Sequence, residues 1–190
     1  LAIGKEYPFE NVKMIGWLSK YGWDMTDLFF IMSGITFAIA YKQKIENDEI
    51  NFINLMKKRI TRLYPLMIIS EVVMVILEGV YYRLHAAWWL SDLNIWQIFI
   101  SLLGIPTGWI NMSYIVNMPV WYIGVLMQCY VLCFFITKLK KKYNIENYVY
   151  LIPIIIYISL DNCGGTNLNF IMLNVSSSRG IQAFFLGIII

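Results

Sequence analysis

The feature that most limits what this chain can become is a series of apolar stretches close to the length that crosses a lipid bilayer. Met25–Tyr41, Arg62–Tyr82, Pro119–Thr137 and Asn147–Leu160 are each mostly apolar, and a spanning helix needs about 17–25 such residues. The last stretch is short and must extend at one end to qualify. A further run starts near Gly180 and continues to Ile190. Ile95–Ile105 is shorter, and Pro106 and Gly108 end it; it reads as a re-entrant or interfacial segment.

Hydrophobic residues make up 59% of the chain and charged ones 14%, with a mean hydropathy of +0.61. A soluble domain holds about 45–50% apolar residues, so the excess is too large for one globular core. Backbone polar groups in lipid must be satisfied within the segment. The expected fold is therefore all-α, a polytopic transmembrane helix bundle with the bilayer as its first partner. A net charge of +3 gives no reason to expect nucleic acid. No Walker loop, dinucleotide fingerprint, zinc-protease or nucleophile-elbow pattern is present. No signal peptide is visible. The sequence starts at Leu1 and stops inside an apolar run, which reads as a segment truncated at both ends.

Basic residues fix the expected orientation. Lys42, Lys44, Lys57, Lys58, Arg59 and Arg62 lie in one link, and Lys138, Lys140, Lys141 and Lys142 in another. The opposite side holds Lys5, Lys13, Lys20, Arg83 and Arg179 in longer loops. Positively charged loops stay cytoplasmic, so both basic links are assigned there. Arg62–Tyr82 then runs outward and Pro119–Thr137 inward. Cys129 and Cys133, four apart in one span, read as small buried hydrophobes, and no metal site is expected. The sequons at Asn111 and Asn174 carry meaning only in a secreted eukaryotic chain.

Charges inside such spans are costly and therefore usually functional. At helical spacing Asp27, Ile31, Gly34 and Ala38 share one stripe. Gly34 and Ala38 form a small-xxx-small pair suited to close helix packing, so Asp27 is expected to face the bundle. The alternative is that Asp24 and Asp27 cap the helix start, where acids favour the dipole. In Asn51–Leu63 the apolar stripe is Phe52, Leu55, Met56, Ile60 and Leu63. Arg59 falls within it and Arg62 at its edge, with Lys57, Lys58 and Thr61 opposite. An arginine so placed needs an anion or a nest of carbonyls, since an unpaired buried charge costs several kcal/mol, roughly. Two guanidiniums three apart suit a phosphate. The plainer alternative is an interfacial helix whose arginines snorkel to headgroups. Glu71 lies near mid-membrane with Glu78 two turns on, as either a functional carboxylate or a structural hydrogen bond. His85, the one histidine, lies in a loop and reads as unremarkable.

These residues resemble a family. Asp27-Leu-Phe-Phe-Ile-Met-Ser33-Gly34 is similar to the VDLFFVLSG element of the membrane acyltransferase-3 family, the polysaccharide O-acyltransferases. Arg59-Ile-Thr-Arg62-Leu-Tyr64-Pro65 is similar to its RRxxRIYP element. Pro119-Val-Trp121 to Gln128-Cys-Tyr130 resembles WSLAVEEQFY, and Arg179-Gly-Ile-Gln-Ala-Phe-Phe-Leu-Gly187 a later helix start. The four elements come in the family's order. The resemblance implies that residues 1–190 are part of a single acyltransferase-3-like membrane domain. It implies transfer of an acyl group, usually acetyl, from cytoplasmic acyl-CoA to a hydroxyl of an envelope polysaccharide or glycolipid. The donor is acetyl-CoA or another acyl-CoA, with no tightly bound cofactor. Localisation is expected in a cell membrane as a multi-pass protein, of the bacterial inner or plasma membrane type. Asp27 is assigned to catalysis, and Arg59, Arg62, Lys58 and Tyr64 to binding the donor. Ser33, Glu71, Trp121 and Tyr130 are assigned to substrate or structure. The family's histidine belongs to a helix before the Asp27 element, upstream of Leu1. Leu126 and Met127 stand where many members carry Glu. The competing function is a non-enzymatic transporter or flippase, with Glu71 and Glu78 as a proton or cation path.

Overall fold

A computed structural model describes residues 13–84, 99, 120–164 and 172–190, with side chains described for 25–77, 79–80, 99, 121–164 and 172–190. No β-strand occurs among the described residues. Helix α1 (Lys13–Phe37) continues without interruption through a π-helical turn (Ala38–Lys42) into α2 (Gln43–Glu46). A tight turn follows, in which Asp48 takes the left-handed conformation at φ 61°, one that Asp tolerates better than most residues. Then come α3 (Phe52–Leu84), α4 (Val120–Tyr143), a 3-10 turn (Asn147–Tyr150), α5 (Leu151–Asn162) and α6 (Val175–Ile189). Asn174 caps α6 by accepting a hydrogen bond from the Ser177 N–H at 2.8 Å. That use of its side chain, with the residue 7% exposed, gives Asn174 a structural role.

Met25–Glu46, Phe52–Leu77 and Trp121–Tyr143 are long and apolar enough to cross a membrane. Four expectations change. The Asp27 helix begins at Lys13, because Gly16 and Gly22 weaken a helix by only about 1 kcal/mol each and no proline intervenes; Asp27 is thus no helix cap. The basic helix and the following span are one element, α3, with Pro65 inside it. Asn147–Leu160 is not one continuous α-helix: a 3-10 turn precedes α5, whose 12 residues cover about 18 Å. It is bounded by left-handed Asn144 before it and by the turn at Gly164 after it. Finally, α6 starts at Val175 rather than Gly180, which moves Arg179 from a loop onto a helix. The segment Ile95–Ile105, Phe99 apart, lies outside the described residues, as does His85.

Helices α1, α4 and α6 form the core. Their contacts advance together along all three, so they point the same way. Phe30 meets Trp121 and Tyr122, and Phe37 stacks on Tyr130 with centroids 5.2 Å apart. Tyr130 and Phe184 then meet edge to face at 5.8 Å. Gly34 and Gly187 let the backbones of α1 and α6 touch. A Cβ on Gly34 would lie 2.1 Å from the Phe184 carbonyl oxygen, and one on Gly187 2.1 Å from that of Ile31. This is the close-packing face expected of Gly34; Ala38 lies in the π-turn, packed beside the core. Helix α5 runs the opposite way against α6. Helix α3 flanks the core, with Leu66, Ile69, Ile76 and Leu77 exposed, a surface suited to lipid.

Candidate functional site

The two basic links come together at one end of the bundle. Lys138 and Lys141 of α4 both pair with Asp48, and Lys140 pairs with Glu46 at 2.6 Å. Lys42 lies over the Tyr150 ring at 4.7 Å. The Asp48 carboxyl is held down at about 2 by hydrogen bonds from Lys138 and then Lys141. Beside this clamp is an open cleft of about 420 Å³ lined by Lys44, Glu49, Ile50, Asn54, Lys57, Lys58 and Thr61. Three ammonium groups against one carboxylate make it an anion-attracting surface.

Arg59 sits one layer deeper. The inward stripe of α3 runs Leu55, Arg59, Leu63, Met67, Glu71, in steps of four. Leu55, Met67 and Glu71 are at most 1% exposed, and Leu63 packs against the core. Arg59 is thus on the buried face, as its place in the apolar stripe predicts. Ile60, expected in that stripe, is instead exposed, so the stripe is narrower than the sequence pattern implies. The described groups closest around Arg59 are aromatic rings. Its guanidinium carbon lies 4.5 Å from the ring centroids of both Tyr41 and Tyr130 and 5.4 Å from that of Phe37. Ring faces attract a cation by about 0.5–2 kcal/mol each. The arginine Nε is enclosed and has no hydrogen-bond partner among the described residues. Arg62 and Lys58 are exposed, and Tyr64 is half-buried. The structure therefore does not hold Arg59 and Arg62 in one environment: the first is caged, the second faces outward. Lys58 alone of the expected donor-binding residues lines the basic cleft.

Asp27 lies midway along α1, 14 residues before Tyr41 of the cage. Arg179 of α6 donates from Nη2 to Asp27 Oδ2 at 2.6 Å. Asp27 Oδ1 is buried and has no hydrogen-bond partner among the described residues. Asp27 and Arg179 share a cavity of about 330 Å³ with Gln182 and the apolar Ile31, Ile154, Ala183 and Leu186. Around it the first turns of α6 are tied to their neighbours. Ser177 donates to Gln128 Oε1 of α4 at 3.0 Å. Ser178 and Gln182 donate to Asp161 Oδ2 of α5 at 2.7 and 2.8 Å. Between the two ends, Ser33 and Tyr122 share a hydrogen bond of 3.0 Å. Tyr122 also donates to the Phe29 carbonyl at 3.4 Å. Trp121 is half-buried against Phe30.

The model of the acyltransferase-3 family, described as an acyltransferase domain, matches residues 25–190. The chain belongs to the acyltransferase-3 family. The match begins two residues before Asp27 and takes in the Asp27 pair, the Arg59 cage and the basic cleft. This acyltransferase-3 domain and its apolar spans make the protein a membrane protein carrying acyltransferase machinery. No curated protein matches the chain, and no solved structure does.

Within the acyltransferase-3 domain, Leu126 and Met127 are buried in the core at 2% and 6% exposure, so α4 presents no carboxylate there. The buried polar residue of that stretch is Gln128, 0% exposed. Arg179 and Asp161 are not among the site residues expected from the sequence, which assigns Arg179 to an outer loop by its charge. The available signal was charge: an arginine opening an apolar helix requires an acid on a neighbour. Glu71 is buried on α3, while the Glu78 side chain lies outside those described.

Proposed function

We propose that this domain moves an acyl group, acetyl first, from acyl-CoA at its basic end to a hydroxyl of an envelope glycan at the Asp27 end. The observation that carries the reading is that α1 and the π-helical turn continuing it touch both charged sites. Phe37 and Tyr41 enclose Arg59, and Asp27 lies 14 residues before Tyr41, roughly 20 Å away along the axis. With basic loops in the cytoplasm, the Lys44–Lys57–Lys58 cleft meets the phosphates of a soluble donor. Arg59, with an enclosed Nε and an aromatic wall, sits where a pantetheine arm would pass inward. Asp27 then faces the outer leaflet of a bacterial plasma membrane, beside a glycolipid or polysaccharide acceptor.

In the transfer, the acceptor hydroxyl oxygen attacks the thioester carbon. The new C–O bond forms as C–S breaks, the hydroxyl proton passes to a base, and the leaving thiolate takes up a proton. The resemblance to the family gives the base role to a histidine from a helix before the Asp27 element. Asp27 is suited to orient that imidazole or the hydroxyl itself.

The test uses the full-length protein in membranes with radiolabelled acetyl-CoA. Acetyl-CoA-dependent incorporation into glycan is the expected result. Arg59→Ala should weaken acetyl-CoA binding about tenfold or more, roughly 1.4 kcal/mol, with membrane insertion intact. Arg62→Ala, on an exposed side chain, should have the smaller effect. Transport of a glycan or ion with no acyl incorporation would replace this reading with the transporter.

A further inference from the structure

We propose that Arg179 is a positioning residue for the Asp27 carboxylate in acyl transfer. The proposal rests on the reading of Asp27 given above.

The two atoms of the carboxylate are in different situations. Oδ2 accepts from the Arg179 guanidinium at 2.6 Å, and Oδ1 is enclosed with no hydrogen-bond partner among the described residues. A charge-assisted bond of that length is directional. It fixes the plane of the carboxylate and leaves the lone pairs of Oδ1 for one further donor. An imidazole N–H or a sugar hydroxyl is a donor of the right kind, and the cavity beside the pair is lined by the apolar Ile31, Ile154, Ala183 and Leu186.

The turns of α6 that carry Arg179 are anchored to two other helices. Its neighbours on α6 reach different helices: Ser177 is bonded to Gln128 of α4, and Ser178 and Gln182 to Asp161 of α5. The contact of Gly34 with Gly187 sets the height of α6 against α1. Gly34 lies seven residues beyond Asp27 and Gly187 eight beyond Arg179, about two turns in each helix, so the ion pair and the glycine contact lie on the same seam. Precise placement matters because a misplacement of about 1 Å at a reacting group can lower a rate by about 10²-fold. A pair needed only to staple α1 to α6 would work equally well with its charges exchanged. A positioning pair would not, because the carboxylate would then sit on the wrong helix.

That difference gives the experiment. Acetyl incorporation is measured for the full-length wild type and for D27N, R179Q, R179K, D27N/R179Q and the exchange D27R/R179D, with a thermal midpoint in detergent for each. R179Q should lower the turnover number by about 10²-fold while leaving the KM for acetyl-CoA unchanged, since the donor binds at the other end. R179K should recover part of the loss, because it restores the charge without the planar fork. In the D27N background, R179Q should cost less than about twofold more, as expected when two residues act through one interaction. The exchange variant should recover the wild-type midpoint and remain inactive.

Restored transfer in the exchange variant would overturn the proposal, as would an equal loss from R179Q with or without Asp27. Absence of incorporation by the wild type would instead refute the proposed function, and full activity of D27N would refute the role given to Asp27, taking this inference with it.

Discussion

Helices α3 and α4 are close to equally apolar, yet they live in different surroundings. Over its most apolar window α4 is 56% buried and α3 only 11%. Hydropathy says that both prefer lipid to water, and it does not say which prefers protein to lipid. What separates them is small and polar residues on the contact face. Helix α4 presents Gly124, Cys129 and Cys133 to its neighbours, all buried, and Gln128 to Ser177. Helix α3 exposes Leu66, Ile69, Ile76 and Leu77 and keeps only the stripe through Arg59 and Glu71 for the bundle. In lipid, where apolar surface has no preference for protein, close backbone approach and polar contacts decide association.

The contrast breaks most visibly where backbones touch. Gly34→Leu drives a side chain into the Phe184 carbonyl and should cost about 3 kcal/mol or more. A thermal unfolding midpoint in detergent will show it, and an unchanged midpoint would remove α1 and α6 from the core. Next comes a matched pair of truncations. Phe184→Ala, at 0% exposure, should lose about 3–5 kcal/mol by leaving a cavity. Leu66→Ala on α3, 73% exposed, should change stability by less than about 0.5 kcal/mol. Similar losses at both sites would mean that α3 is as much a part of the core as α6.

The smallest effect is expected at the clamp joining the α2–α3 turn to α4. Asp48 has a carboxyl pulled down from 3.8 to about 2 by Lys138 and Lys141. A depressed carboxyl stabilises fully above its ordinary value, and that contribution fades as pH falls toward the depressed one. The stability gap between wild type and Asp48→Asn should therefore be constant from neutral pH down to about 4. It should close between there and about 2. The gap will be small and will shrink in high salt, because the pair is exposed.

Much of this was legible in the sequence, for particular reasons. The inward face of Asp27 could be read because Ile31 and Gly34 repeat at helical spacing and a glycine marks a close approach. The burial of Arg59 could be read from its apolar flanks on one helix. Its partners could not, since Phe37, Tyr41 and Tyr130 come from two helices far apart in the chain, and periodicity is silent about which faces meet. The continuity of α3 was hidden by the charged Lys57–Arg62 stretch and by Pro65, which together imitate a break. Arg179 was hidden by its charge, which assigns it to an outer loop rather than to a helix.

Pro65 makes α3 two things at once. At 33 residues the helix is about 50 Å long, well beyond the roughly 30 Å of hydrocarbon, and at Pro65 one rung of its ladder is missing, because no N–H reaches the Thr61 carbonyl. On one side of that joint, Phe52 packs on Phe134 and Phe135, and Leu55 is buried. On the other, the side chains mostly face outward. The segment before the joint carries Arg59 and is the part of α3 that packs on α4. Pro65 thus marks the place where α3 passes from a segment packed on α4 to one whose side chains face mostly away from the bundle.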